Sequence, residues 1–342
     1  MPRSCVLRSR QPRLLTSTPP DPSPQPRHPT PQPMSTPPAN PTRVALDELL
    51  ALAAAAQGKS LARTRRTPAL HSGTSTSRWR GRGVDFRESR IYQPGDEIRH
   101  MDWRVTARSG KPHTKLFEEE REQGLLLALD YNPGMRFGTR VRFKSVQAAR
   151  AAALLAWIAA AAGDRVGALG FGGGIDAEVK PASGRRGVLR VLRALRDWDH
   201  AATDADASFS QALQRVRRLL RPGMRLLLLS DGFACDEDTE RLLPQVAGRH
   251  EVALVLLRDA LELVPPPPGR YTLRSGGTAR IIDFSDARVR EQWVAGFALA
   301  RTRLLALCAR LGIRVVELDT DATLRIALAP LLARALRPKV VA

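Results

Sequence analysis

Two acids in this chain stand where chemistry is often placed. Asp130 closes the apolar run from Leu125 to Leu129, and Asp231 closes the run from Met224 to Ser230. On parallel strands both carboxylates would leave the sheet at its carboxyl edge, where open α/β sheets bind ligands. Carboxylates converging there suit a divalent cation; Mg²⁺ takes one or two of them, other oxygens and several waters. The plainer role for each is to cap a helix or accept turn amides. A second concentration lies upstream, where residues 90–108 hold Pro94-Gly95, three acids (Asp96, Glu97, Asp102), four arginines (Arg90, Arg99, Arg104, Arg108), Tyr92 and Trp103. Neither helical nor strand periodicity accounts for that mixture. Pro94-Gly95 suits a type II turn. Asp96 and Asp102 lie within reach of Arg90, Arg99 and Arg108, so bidentate carboxylate–guanidinium pairs are expected. No nucleophile stands beside a base here, so the segment reads as a brace or a docking surface rather than a catalytic loop.

These groups need elements to hold them. An Ala/Leu-rich helix is expected over residues 44–57, followed by a basic loop at 61–77 and short strands and turns from Arg80 onward. From Leu125 the texture changes. Apolar strands at 125–129, 165–171, 224–230, 251–257 and 313–318 alternate with helices at 143–162, 186–195, 209–220, 237–246 and 286–311, and a last helix is expected over 323–336. Gly172, Gly173 and Gly174 lack the Gly-Lys-Thr continuation of a phosphate loop and read as a hairpin turn into a short strand near 177–180. Residues 258–284 read as an irregular excursion. The alternation predicts an α/β fold with a doubly wound, mostly parallel sheet.

Composition narrows the function. The chain has 342 residues and a formal net charge of +20, but of its 54 basic residues only six are Lys. The Arg, Ala, Pro and Gly excess reads as coding bias more than as phosphate recognition. Residues 59–111 still carry thirteen basic against five acidic residues, a patch that would steer acidic partners or nucleic acid if exposed. Cys5, Cys235 and Cys308 form no paired spacing, and the six histidines form no zinc pattern. The longest apolar run, 151–162, is too short to span a bilayer. A cytoplasmic chain without membrane insertion is expected. Half of the 26 prolines fall in residues 1–41, so 1–42 is expected to be a disordered tail, with Met34 the preferred start. The expected domains are then 43–121, a helix and a β-rich module, and 122–342, the α/β domain.

The upstream motif also carries a resemblance. Arg90, Tyr92, Pro94, Gly95, Asp96, Arg99, Asp102, Trp103, Ala107 and Arg108, with Met101 at a usual Ile position and Lys115-Leu-Phe-Glu-Glu-Glu120 following, resemble the central pattern of the domain-of-unknown-function 58 family. The match is specific over 78–121 and looser to about residue 260. It implies a von Willebrand factor A-like domain with an inserted β-rich module, Trp103 in the core, and association with a MoxR-type AAA+ ATPase. It also implies a metal-ion-dependent adhesion site, here degenerate. Asp130 and Asp231 match that site, Asn132 and Gly134 replace its two serines, and the threonine position falls near Ala207 with Ser208 beside it. Mg²⁺ or Mn²⁺ is therefore expected to bind weakly or not at all. The reading that follows is a non-enzymatic adaptor for the ATPase and an unknown client protein. Tyr131, Pro133, Met135 and Phe233 on the loops form the expected contact rim, Tyr131 and Phe233 foremost; Met135 and Phe233 folded inward is the competing placement. The rivals are a metal-dependent hydrolase or nuclease using Asp130 and Asp231, and a nucleic-acid-binding module using residues 63–108.

Overall fold

Residues 124–130 are buried at every position, as a strand covered on both faces must be. In the computed structural model this run lies inside a six-stranded sheet. The structure describes residues 40–62, 84–94, 96, 98–119, 123–275 and 278–334. Its elements open with α1 (Leu46–Ala56), β1 (Lys59–Leu61), β2 (Val84–Ile91), α2 (Trp103–Ser109) and β3 (His113–Glu119). Next come β4 (Gly124–Asp130), α3 (Lys144–Ala161), β5 (Arg165–Gly172), β6 (Ile175–Ala182), α4 (Gly184–Ala201) and α5 (Phe209–Leu219). They continue with β7 (Met224–Ser230), α6 (Glu237–Ala247), β8 (Glu251–Arg258), α7 (Ala260–Leu263), β9 (Arg270–Ser275) and β10 (Thr278–Asp283). The last are α8 (Ala287–Leu311), β11 (Arg314–Asp319), α9 (Leu324–Ala327) and β12 (Leu332–Arg334).

The large sheet runs β11-β8-β7-β4-β5-β6, and only the β5–β6 pair is antiparallel. Period-two alternation along β4 divides the interior. Leu125, Leu127 and Leu129 join a core with α1, α3 and α4, while Leu126 and Ala128 join one with α5, α6 and α8. Helices therefore cover both faces, as the alternation of strands and helices predicts. The Ala-rich α3 is buried nearly all round because α1 packs on it and Val44, Leu49 and Ala56 enter the same core. That places α1 with the sheet, not with the β-rich module expected to include it.

Three local expectations change. The expected helix at 323–336 stops after α9; Pro330 lacks an N–H donor, a 3₁₀ turn at Ala329–Leu331 follows, and β12 then pairs antiparallel with β1. The excursion at 258–284 is ordered as α7 and a β9–β10 hairpin. The β-rich module is a β2–β3 hairpin with a bulge between Phe86 and Glu88, carrying a 3₁₀ turn (Ile98–His100) and α2 at its head. Most of the expected tail, residues 63–77 of the basic loop and Gly95 of the expected type II turn lie outside the described residues. Among the described residues no helix is long and apolar enough to cross a membrane.

Candidate functional site

The head of the β2–β3 hairpin uses its charges differently from the expected arginine lattice. Asp96 does meet Arg90 at 2.7 Å through one oxygen, and its other oxygen accepts the Gln93 amide at 2.9 Å. Among the described residues no arginine side chain pairs with Asp102. This acid is the N-cap of α2, accepting the Val105 amide at 3.1 Å and the Ser89 hydroxyl at 2.8 Å. Those two donors hold its carboxyl below the usual range. A short helix needs its leading amides satisfied, and Asp is a preferred cap. Trp103, expected in the core, is 66% exposed. It sits at the first position of α2, one residue after the cap, and Arg99, Arg104 and Arg108 are exposed around it in sequence.

At the carboxyl edge of the sheet the expected pair does converge. Asp130 ends β4 and Asp231 follows β7, its parallel neighbour, and both are buried, 1% and 3% exposed. Asp130 Oδ2 accepts the Ser230 hydroxyl at 2.6 Å and Oδ1 accepts the Asn132 amide at 2.8 Å. Asp231 Oδ1 accepts the Phe233 amide at 3.1 Å, and Oδ2 accepts the Lys144 ammonium at 2.8 Å. Lys144, the first residue of α3, is 1% exposed and also donates to Glu262 of α7. The rings of Phe233 and Phe137 lie 5.4 and 5.9 Å from its Nζ, within cation–π range.

The other expected ligands are occupied elsewhere. Asn132 Oδ1 accepts the Ala207 amide at 2.8 Å and its Nδ2 donates to the Ala207 carbonyl at 2.9 Å. Both ends of the amide are spent joining the loop after β4 to the approach to α5. Ser208 caps α5 and pairs with Ser210 Oγ at 2.8 Å, which in turn donates to Asp236. A Cβ on Gly134 would lie 2.9 Å from Asp231 Oδ2, so that carboxylate already fills the space of a side chain there. Gly172, in a left-handed turn at φ 77°, leaves room for Asn132, whose Oδ1 would lie 2.5 Å from an added Cβ. The donor set thus does not fit a divalent ion. Among the described residues no group of three or more His, Cys, Asp or Glu is placed to hold a metal.

The electrostatics follow from one ammonium meeting two acids, Asp231 and Glu262, with Asp130 close enough to feel the charge of Asp231. Burial, and then the charge of Asp231, push Asp130 up to about 7. Burial also raises Glu262 against the pull of Lys144. Burial alone would lower Lys144, but Asp231 and Glu262 outweigh it and hold the ammonium above its usual value. Asp259, fully buried at the end of β8, is the neighbouring hub. It accepts from Thr139, Leu261 and Thr320, so it ties the loops after β4, β8 and β11 together. Its amide donates to Glu262 Oε2 at 3.1 Å in a capping box, which aims the other oxygen of Glu262 at Lys144.

The expected rim is only partly exposed. Tyr131 is 1% exposed, its ring edge-on to Trp198 at 6.2 Å and its hydroxyl donating to the Leu195 carbonyl, so it is core. Met135 is fully buried as well. Phe233 is 40% exposed and begins a chain of edge-to-face rings through Phe297, Trp293, Phe284 and Tyr271. Lys144 is the residue that motif reading passes over. A lysine at a helix N-terminus opposes the helix dipole, and in a chain whose cations are nearly all arginine that position is the available signal.

Comparison with known proteins agrees with the motif. The chain is 30% identical over 242 residues to the uncharacterized protein Rv1480 of Mycobacterium tuberculosis, covering 70% of this chain and 76% of that one. The uncharacterized protein Mb1516 of Mycobacterium bovis matches to the same extent. Among solved structures it is similar to the conserved hypothetical protein BatB from Bacteroides thetaiotaomicron, at 14% identity and a TM-score of 0.42, over 61% of this chain and 96% of that chain. The model of the family described as "Protein of unknown function DUF58" matches residues 88–303. The chain, with its hairpin head and its lysine-filled sheet edge, belongs to the DUF58 family.

Proposed function

We propose that this chain is a non-enzymatic interaction module, a von Willebrand factor A-like domain with an added hairpin arm, that works with a MoxR-type AAA+ ATPase on a client protein in the cytoplasm. One observation carries the reading: Phe233 stands 40% exposed directly beside acids that are 1–3% exposed and satisfied from within. The sheet edge therefore offers a partner an aromatic surface rather than a substrate a reactive group. Aromatic residues are enriched at interfaces and frequent among their energetic anchors. The hydrolase and nuclease reading needs a carboxylate free to bind metal or move a proton. Here Asp130, Asp231 and Glu262 are each committed to a donor of the same chain.

The test is a pull-down with the MoxR-type ATPase encoded nearest this chain, comparing wild type and Phe233→Ala. Capture by wild type and a loss of about tenfold or more in the variant, with unchanged melting, supports the reading. No capture by wild type rejects the partner, and wild-type capture by the variant rejects the rim.

A further inference from the structure

We infer that the outward face of α2, at the head of the hairpin arm, docks an acidic, amphipathic segment of a partner protein. An apolar side chain of that segment seats against Trp103 and Ala107, and its carboxylates meet Arg104 and Arg108. The inference deepens the reading of the chain as an interaction module by adding a second contact and its chemistry. It does not depend on whether an ATPase binds the Phe233 rim.

Sequence register builds the face. Trp103 and Ala107 are one helical turn apart, as are Arg104 and Arg108. The helix therefore carries an apolar row and a basic row side by side, with about 5–6 Å between the members of each. All four residues are exposed, Trp103 to 66%. The other side of α2 is turned to the hairpin, where Val105 and Thr106 are half-buried and the Thr106 hydroxyl accepts the His113 amide at 3.0 Å. Ala107 has no side chain beyond Cβ, so it leaves low ground one turn after the indole. The result is an apolar notch with a guanidinium wall. Ile98 and Ile91, 65% and 56% exposed, add aliphatic surface to the same head. Exposed apolar groups gathered together and rimmed by charge mark a contact surface.

Charge selects the occupant. Asp96 and Asp102, the described acids of the head, are spent on Arg90 and on the cap of α2. Arg99, Arg104, Arg108 and Lys111 are exposed, and among the described residues none of them is in an ion pair. A head so charged repels a second copy of itself and attracts an anionic partner. Guanidinium forks bind carboxylates bidentately, and acids one helical turn apart on a partner match the spacing of Arg104 and Arg108. A nucleic acid would stack on the indole but has no counterpart for two exposed isoleucines. A lipid surface answers to net charge and gives the paired rows no role.

The experiment selects phage-displayed random peptides on the full chain. Enriched peptides are then titrated by fluorescence anisotropy against wild type, Trp103→Ala, Phe233→Ala and the double variant Arg104→Glu/Arg108→Glu. The enriched peptides are expected to combine acids with a large apolar residue. Binding should fall about tenfold or more in Trp103→Ala and in the charge-reversed variant, with unchanged melting, and should weaken as NaCl is raised. Phe233→Ala should bind as wild type does, which separates the head from the rim. Arg104→Lys/Arg108→Lys, which keeps the charge and loses the fork, should lie between. No enrichment, peptides without acids, or equal binding by Trp103→Ala and the charge-reversed variant overturns the inference. So does a large fall in melting temperature in both, since the face would then be structural. Single-stranded DNA or phosphatidylglycerol vesicles that displace every selected peptide from wild type, and are lost by the charge-reversed variant, also overturn it and assign the head to nucleic acid or lipid. A failed ATPase pull-down changes none of these outcomes, so the two readings fail separately.

Discussion

The side chain of Asn132 and the backbone of Ala207 exchange two hydrogen bonds, at 2.8 and 2.9 Å, across 75 residues of sequence. This pair joins the loop after β4 to the start of α5. A serine at position 132 is too short to make both bonds. Asn132→Ser is therefore expected to destabilise the chain by about 1–3 kcal/mol, the cost of leaving buried polar groups unpaired, and to bring no gain in Mg²⁺ affinity. Urea denaturation and calorimetric titration check the two halves. Unchanged stability together with new metal binding would show that the loops have the geometry of an adhesion site after all.

Asp130 gives the chain a specific pH signature. Its folded-state pKa is raised to about 7 by burial and by the charge of Asp231, with Lys144 acting in the opposite sense. The folded state therefore holds a proton that the unfolded chain releases near pH 4. Stability from this group is fully present below about pH 4 and falls as pH rises toward 7, by at most about 1.4 kcal/mol per pH unit. Asp130→Asn removes the titration. The stability of the variant relative to wild type should rise across that window and level off above it, measured by denaturant melts from pH 4 to 8. A difference that is flat with pH would mean that Asp130 is ionised throughout.

Asp102→Ala tests the hairpin head. Because Asp102 caps α2 and holds Ser89, its loss should cost what a cap costs. A fall of about 2–4 °C in melting temperature is expected. Asp102→Asn, which can still accept from the Val105 amide, should recover most of it. A collapse of soluble expression in both variants would point to a charge partner that the geometry does not show.

Trp103, by contrast, should contribute to recognition and little to folding. At 66% exposure its replacement by alanine is expected to change stability by no more than about 0.5 kcal/mol, while capture of the partner falls. Thermal melting and the same pull-down read both quantities. A large loss of stability would show that the indole packs against the chain more than its exposure indicates.

Much of the architecture is legible in local pattern. Runs such as Leu125 to Leu129 and Met224 to Ser230 declare buried parallel strands because both of their faces are apolar. Since those runs end in Asp130 and Asp231, the meeting of the two acids could be read as well. What the pattern does not carry is the third party. Lys144 is read locally as the polar start of an alanine-rich helix; its burial is decided by Glu262, 118 residues away. Tyr131 is hidden for the same reason, since Trp198 comes from a distant helix. Strands β1 and β12 have three residues each, too few to show a period.

Strand β1 and strand β12 also bear on how the chain is made. Ser60 and Ala333, paired in register, are separated by 273 residues. At ordinary elongation speeds of 5–20 residues per second, roughly 14–55 s pass between their syntheses. Through that interval the nascent β1 has open hydrogen-bonding groups and no native partner. The sheet itself can form earlier, since β4 through β11 are complete before β12 emerges. Strand β1 is thus paired only after every strand of the large sheet has been made, which leaves it in need of shielding during translation.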